Sequence, residues 1–240
     1  MNKSQIVILA GGRGKRLDSI TENIPKPMVN VNNSPFLEIL IKMLHRQGFS
    51  KFLILTGYLS NKIIEYFADG TKLGVSINYS TEIEFLGTAG GLKNAEKFLE
   101  DEFLLINGDT FLEIDYDKYI KYSQKHSKLC SMICYNGKLY DGINYNLKLE
   151  NNYVLNYSKY SLDREFNAVD AGVYFMKKDI ITKINKNIAS LEEDVFPLLI
   201  TEKQISGYIS TEKFYDIGTV NKLNIFEKFI SSKKAYNVSS

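Results

Sequence analysis

Only two cysteines and two histidines occur among the 240 residues, and that scarcity removes several kinds of chemistry. Cys130 and Cys134 stand close together in an apolar segment, a spacing that suits neither a zinc site nor a redox pair, and they read as small buried hydrophobes. His45 falls inside a helical pattern and His126 near a polar helix end, so neither is placed for catalysis. Without a poised Cys/His or Ser/His pair, a covalent intermediate has no evident nucleophile. An excess of one charge is also missing. Thirty basic against 28 acidic side chains leave a net +2, too little for a nucleic-acid binder that relies on a basic surface. No apolar run approaches the roughly 18–20 residues that span a bilayer. The polar Met1-Asn2-Lys3-Ser4-Gln5 leads straight into an apolar strand, so no signal peptide is expected and a cytoplasmic location is. Internal repeats and low-complexity linkers are lacking too. What remains, 44% apolar and 24% charged residues, describes a soluble globular α/β protein. A single domain over residues 1–230 is expected, with a polar tail over 231–240.

The pattern along the chain alternates strand and helix. Ile6-Val7-Ile8-Leu9 reads as a buried strand that stops abruptly in glycine. Ser34-Pro35 reads as a helix start, with Phe36, Leu40, Met43 and Leu44 on one face and Gly48 as the stop. A strand over 52–56, a short helix carrying Ile63, Ile64 and Phe67, and a strand over 75–79 follow. This β-α-β-α-β order implies a mostly parallel sheet covered on both faces. Thr88 is a candidate N-cap, Phe103-Leu104-Leu105-Ile106 a central strand, and Asp115 the start of a helix to about Ser127. The Asn/Tyr/Lys-rich stretch 136–167 reads as a β-rich insertion, and equally as a polar surface excursion. Val169 to Phe175 is again a strand, and Ser190-Leu191-Glu192-Glu193 has the form of a capping box.

Three stretches carry candidate chemistry. Gly11, Gly12 and Gly14 allow a sharp turn whose amides can approach another object, while Lys15, Arg16 and, beyond, Lys26 add fixed positive charge. Amides plus cations suit a polyphosphate, although a surface turn with solvated basic residues has the same composition. Two better-known glycine motifs are excluded. Gly14-Lys15-Arg16 lacks the hydroxyl of a Walker loop, and Leu17 stands where a dinucleotide fingerprint needs a small residue. Asp109, placed by Gly108 at the carboxyl end of a central strand, is a candidate metal ligand or a cap for the next turn. Asp216 in Asp216-Ile217-Gly218-Thr219 would on spacing alone be called a turn residue.

Taken together, Gly11-Gly12-Arg13-Gly14-Lys15-Arg16-Leu17 with Pro25-Lys26-Pro27-Met28 closely resembles the signature of the sugar-1-phosphate nucleotidyltransferases. Leu86-Gly87-Thr88-Ala89-Gly90, Asn107-Gly108-Asp109 and Asp216-Ile217-Gly218-Thr219 follow in the family's order, so the likeness covers nearly the whole chain. The resemblance implies a three-layer α/β/α fold with a mostly parallel, Rossmann-like (GT-A-type) mixed sheet and a small β-rich insertion on the sugar side. It implies Mg²⁺ held by Asp109 and Asp216, and Arg16, Lys26 and Asp109 as the catalytic groups. Nucleotide contacts would come from Ala10, Gly11, Gly12, Gly14, Lys15, Arg16, Lys26, Glu82, Leu86, Gly87, Thr88, Ala89 and Gly108. Lys159, Asp170 and Gly172 would hold the sugar phosphate. The chain departs from the family at Lys15 for Thr or Ser, Phe85 for proline, Ser158 for a glutamate and Asp170 for an asparagine.

The implied partners are a nucleoside triphosphate and a sugar 1-phosphate, with no nucleic acid or membrane and with a homodimer as the candidate assembly. Within the family the chain looks most like the short mannose- and heptose-type guanylyltransferases, with D-glycero-α-D-manno-heptose 1-phosphate as the leading substrate. A uridylyl, thymidylyl or cytidylyl transfer to another small phosphate is the alternative. Two other classes stay open. A GT-A glycosyltransferase shares the fold but normally carries Asp-x-Asp, where Phe111 stands here. A silent nucleotide-sensing module would keep the pocket without turnover. No repeat-built acetyltransferase domain is expected.

Overall fold

The computed structural model describes residues 3–12, 21–140, 143–158 and 164–233. Strand β1 (Gln5–Ala10) is its axis, and Ile6, Val7 and Ile8 there are completely buried. After a 3-10 turn over Lys26–Met28 come the two-residue strands β2 (Asn30–Val31) and β3 (Ser34–Pro35), then helix α1 (Phe36–Arg46). The sequence β4 (Lys51–Thr56), α2 (Ser60–Phe67), β5 (Ser76–Thr81), α3 (Gly87–Asn94), β6 (Glu102–Asn107) completes the alternating half. There follow β7 (Thr110–Phe111), α4 (Tyr116–His126), β8 (Cys130–Tyr135), β9 (Leu147–Glu150), β10 (Tyr153–Tyr157) and β11 (Val169–Lys177). The chain closes with α5 (Phe196–Thr201), β12 (Ile205–Ser210), β13 (Tyr215–Asp216) and α6 (Val220–Ser232).

Among the described residues the main sheet has nine strands in the order β5-β4-β1-β6-β11-β8-β12-β10-β9. The pairings are parallel from β5 through β6 and between β8 and β12, and antiparallel elsewhere. Seven strands therefore point one way, and β11 and β10 the other. The period of two along a strand sorts the core into two layers. Ile6, Ile8, Phe52, Ile54, Leu104 and Ile106 face one side, where α1, α2, α4 and α6 contribute Leu40, Ile63, Tyr119 and Phe226. Val7, Leu53, Leu55, Phe103 and Leu105 face the other, against Leu92 of α3 and Phe196 of α5. Strands buried on both faces between two helical layers are the expected α/β/α arrangement. The β-rich piece is the hairpin β9–β10. It turns on Asn151-Asn152, both at positive φ (48° and 65°), and joins the sheet where Tyr153 pairs with Ser206.

Several local expectations are corrected. Ser34-Pro35 does not cap or begin a helix: it pairs with Asn30-Val31 as a small hairpin, and α1 starts at Phe36 with no side-chain cap. Ile64 is half out of the core, so α2 buries only Ile63 and Phe67. Thr88 is not an N-cap but lies in the first turn of α3. The capping box is half right. Ser190 Oγ accepts from the Glu193 amide, but the reciprocal bond to the Ser190 amide comes from Asp194 (2.8 Å), one residue later, because the first turn there is a π-helical one. Cys130 and Cys134 are free and buried, as expected. The two histidines spend a ring nitrogen on backbone, His45 on the Phe49 carbonyl and His126 on that of Tyr122.

The start of α3 is stitched to the chain before α5. The Ala189 carbonyl accepts from the amides of Ala89 (2.9 Å) and Gly90 (3.1 Å), and the Ala189 amide donates to the Leu86 carbonyl (2.9 Å). Gly87 makes this approach feasible: its φ is +76°, and a Cβ there would lie 2.4 Å from the Ala189 carbonyl oxygen. Gly87→Ala is therefore expected to cost about 2–4 kcal/mol, combining left-handed strain with a backbone clash. Urea unfolding midpoints at constant m would measure it; a loss below about 0.5 kcal/mol would mean the stitch is not needed.

Candidate active site

Parallel strands in an α/β sheet open a crevice at their carboxyl ends. Here Leu9 and Ala10 of β1, Leu55 and Thr56 of β4, Ser80 of β5 and Asn107 of β6 line a cleft of about 530 Å³. At its centre the exits of β1 and β6 cross. The Gly108 amide donates to the Leu9 carbonyl at 2.9 Å, and a Cβ on Gly108 would sit 2.4 Å from that oxygen. Only glycine lets the two exits pass this closely, and the residue delivered into the cleft is Asp109.

Asp109 is ion-paired with Lys26, whose side chain is only 11% exposed in the 3-10 turn after Pro25. The strand bridge β7–β13 sets Asp216 opposite Thr110, and the Ile217 amide donates to the Asp109 carbonyl at 3.0 Å. The backbones of the two expected metal acids are thus brought side by side from distant parts of the chain. Their carboxylates differ in placement. Asp109 lines the cleft, while Asp216 lines a separate small depression and is held by Lys222 (2.6 Å) and the Gly218 amide (2.9 Å). The donors are carboxylate oxygens, and among the described residues no cluster of three His, Cys, Asp or Glu occurs. Such a donor set fits Mg²⁺, which is usually held by one or two carboxylates plus substrate phosphates. Phe111 is core, tilted against Phe226 at 5.1 Å, so the second acid of an Asp-x-Asp has no equivalent.

At the other expected positions the outcome is mixed. Ala10, Gly11, Gly12, Lys26, Glu82, Gly87, Thr88 and Gly108 line the cleft. Ala89 lies fully buried behind them, and Leu86 serves through its carbonyl. Gly14, Lys15, Arg16 and Lys159 lie outside the described residues. Glu82 rests against the backbone of Gly11 and Gly57, accepts from the Leu86 amide (3.2 Å), and has its carboxyl pKa raised by burial. Asp170 lines the same cleft, with hydroxyls of Tyr174 (2.7 Å) and Tyr157 (3.2 Å) and the Gly172 amide (2.8 Å) donating to it. Gly172 stands behind the lining and orients Asp170. Burial pushes the Asp170 carboxyl up to about 6 against those three donors.

Local pattern could not have found Glu192, which joins Asp170 in the cleft. Its Oε2 accepts from Thr88 (2.9 Å) and Ser190 (2.7 Å), so a residue inside the expected capping box ties the chain before α5 to the start of α3. Thr56, Ser80 and Asn94 were also missed. The signal for the first two was their place at the carboxyl ends of parallel strands.

The cleft thus combines a lysine-paired acid with the glycine exits of β1 and β6 and further acids at Glu82, Asp170 and Glu192. The chain belongs to the nucleotidyl transferase family, whose model matches residues 5–233. It is 36% identical over 178 residues to D-glycero-alpha-D-manno-heptose 1-phosphate guanylyltransferase of Campylobacter jejuni, covering 73% of this chain and 77% of that protein. It is 32% identical over 217 residues to the enzyme of the same name from Aneurinibacillus thermoaerophilus, covering 89% and 93%. The crystal structure of HddC from Yersinia pseudotuberculosis complexed with GMP-PN superposes with a TM-score of 0.79 at 30% identity, covering 95% of this chain and all of that one.

The raised Asp170 has a stability consequence with a definite sign. Its folded pKa of about 6 exceeds the unfolded value near 3.9, so the folded state holds the proton more tightly and its advantage falls as pH rises between those values. Asp170→Asn should therefore stabilise the protein by about 1–3 kcal/mol at pH 8, with the gain fading as pH drops from about 6 to 4. Thermal unfolding across that range is the check; a gain independent of pH would contradict an ionised, buried Asp170.

Proposed function

We propose that the protein transfers a guanylyl group from GTP to a sugar 1-phosphate, D-glycero-α-D-manno-heptose 1-phosphate first among them, with release of pyrophosphate. The observation that carries this reading is that one cleft gathers the ion pair Lys26–Asp109 with the polar groups Glu82, Asp170 and Glu192. The guanylyltransferase relatives support the same choice of base and sugar.

Base choice follows from hydrogen-bond chemistry. Guanine presents two adjacent N–H donors on its Watson–Crick edge, which a carboxylate can accept together. Uracil and thymine present one N–H flanked by carbonyl oxygens that a carboxylate repels. Glu82, carrying only acceptors when ionised, therefore selects guanine. Elsewhere in the cleft, Asp170, Glu192 and Tyr157 can accept from a hydroxyl-rich sugar.

In the transfer, an oxygen of the sugar phosphate forms a bond to the α-phosphorus as the bond from that phosphorus to the bridging oxygen of pyrophosphate breaks. One anhydride replaces another, so the demand is to hold two anions together in line. Two like unit charges 4 Å apart repel by about 4 kcal/mol at an effective dielectric near 20. Lys26 offsets part of that repulsion at the cleft floor, with Lys15 and Arg16 proposed to do so for the leaving phosphates and Lys159 for the sugar phosphate. Asp109 and Asp216 are the proposed holders of Mg²⁺, which when bound neutralises phosphate charge.

Pyrophosphate release tests the reading. Asp109→Asn should lower kcat about 100-fold or more with an unchanged melting temperature; near wild-type turnover would remove Asp109 from the mechanism. Glu82→Gln, which offers one acceptor and one donor, should cut kcat/KM for GTP about 100-fold while raising the relative use of UTP and dTTP. An unaltered GTP-to-UTP ratio would dissociate Glu82 from base selection.

A further inference from the structure

Asp216 is paired into the strand bridge beside the cleft but is not among the residues that line it. Gly218 lines the cleft, whereas Asp216 shares the depression with Tyr140, Tyr215 and Lys222. Lys222 Nζ lies 2.6 Å from Asp216 Oδ2, and both side chains are largely withdrawn from solvent, at 22% and 20% exposure. The pair is sterically well defined. Oδ1 of Asp216 is fixed by the Gly218 amide, and Lys222 stands in the first turn of α6 after the Thr219 cap. A lysine so close to a helix N-terminus is placed against the helix dipole, and the preceding carboxylate compensates for it.

We infer that Lys222 is a latch on Asp216: a built-in cation that competes with the divalent metal for this carboxylate and holds it out of the cleft until metal and nucleotide arrive. The inference rests on the metal role proposed above for Asp216 and adds a residue to which that reading gives no task. Its logic is competition. With Oδ1 held by the Gly218 amide and Oδ2 by the ammonium at 2.6 Å, a cation that ligates Asp216 competes with Lys222 for the carboxylate's charge. The cost of parting the pair is then subtracted from metal affinity, and Lys222 is a positioning residue, acting through Asp216. Lys26 stands in the same relation to Asp109, so each metal acid is neutralised from the protein's own side.

The test is direct Mn²⁺ binding to the full-length protein, read from the electron paramagnetic resonance of free Mn²⁺ and so independent of turnover. Lys222→Met and Lys222→Gln should each lower Kd about threefold to tenfold, the range open to a partly buried ion pair. Lys222→Arg should keep the wild-type value. In an Asp216→Asn background, Lys222→Met should tighten nothing. Equal Kd values for the wild type and both neutral variants, or weaker binding by them, would overturn the latch. If Asp216→Asn itself leaves Kd unchanged, the latch and the metal role of Asp216 both fall. GTP-dependent pyrophosphate release would still report on the transfer reaction separately.

Discussion

Everything in the cleft is referred to one contact, the hydrogen bond from the Gly108 amide to the Leu9 carbonyl. It locks the exits of β1 and β6 at a distance no other side chain permits, and the middles of both strands are fully buried. Asp109 follows immediately and hangs from this crossing. Lys26 reaches it from the chain that leaves β1, and Ile217 clasps its carbonyl from the far end of the molecule. Catalytic geometry is thereby referred to rigid strand ends rather than to loops, which is what a transfer between two repelling anions needs. A phosphate-handling group displaced by even a fraction of an ångström would lose much of that advantage.

The same economy governs the rest of the lining. The chain before α5 closes onto α3 through Ala189, Thr88 and Glu192, so two lining segments distant in the chain share hydrogen bonds. A change in one segment should be felt in the other. Ionised Asp170 is a local liability: three donors support it and burial opposes it. Proteins tolerate such a cost where the group has work to do, and an asparagine at this position would be easier to bury but would bring a donor the sugar end does not need.

How much of this could be read before the fold was known depended on the range of the interaction. The alternation of apolar strands and amphipathic helices is a local property, and β1, β4, β6 and α4 fall where the sequence pattern places them. Asp109 stood out as an acid after a glycine at a strand end, Glu82 only through the family resemblance, and both line the cleft. Ser34-Pro35 misled because the rule for a helix start ignores a neighbouring strand, and pairing with Asn30-Val31 prevailed. Glu192 was invisible for the opposite reason. Its local environment was fully explained by a cap, and its partner Thr88 is more than a hundred residues away in the chain. Lys222 shared that fate, since nothing in a lysine on a helix predicts the acid it will meet.

The pairing of Asp109 and Asp216 with lysines bears on how such a site folds at all. The Ile217 amide clasps the Asp109 carbonyl and Asp216 pairs with Thr110, so two acids distant in the chain are set on adjoining backbone. Two carboxylates held near one another would repel in the absence of a cation. Lys26 and Lys222 offset that repulsion, each by a single short contact with its own acid. The pairs differ in place. Lys26 and Asp109 both line the cleft, where an anion can approach the lysine. Lys222 and Asp216 line a separate depression beside Tyr140 and Tyr215, so the second acid is neutralised away from the cleft lining.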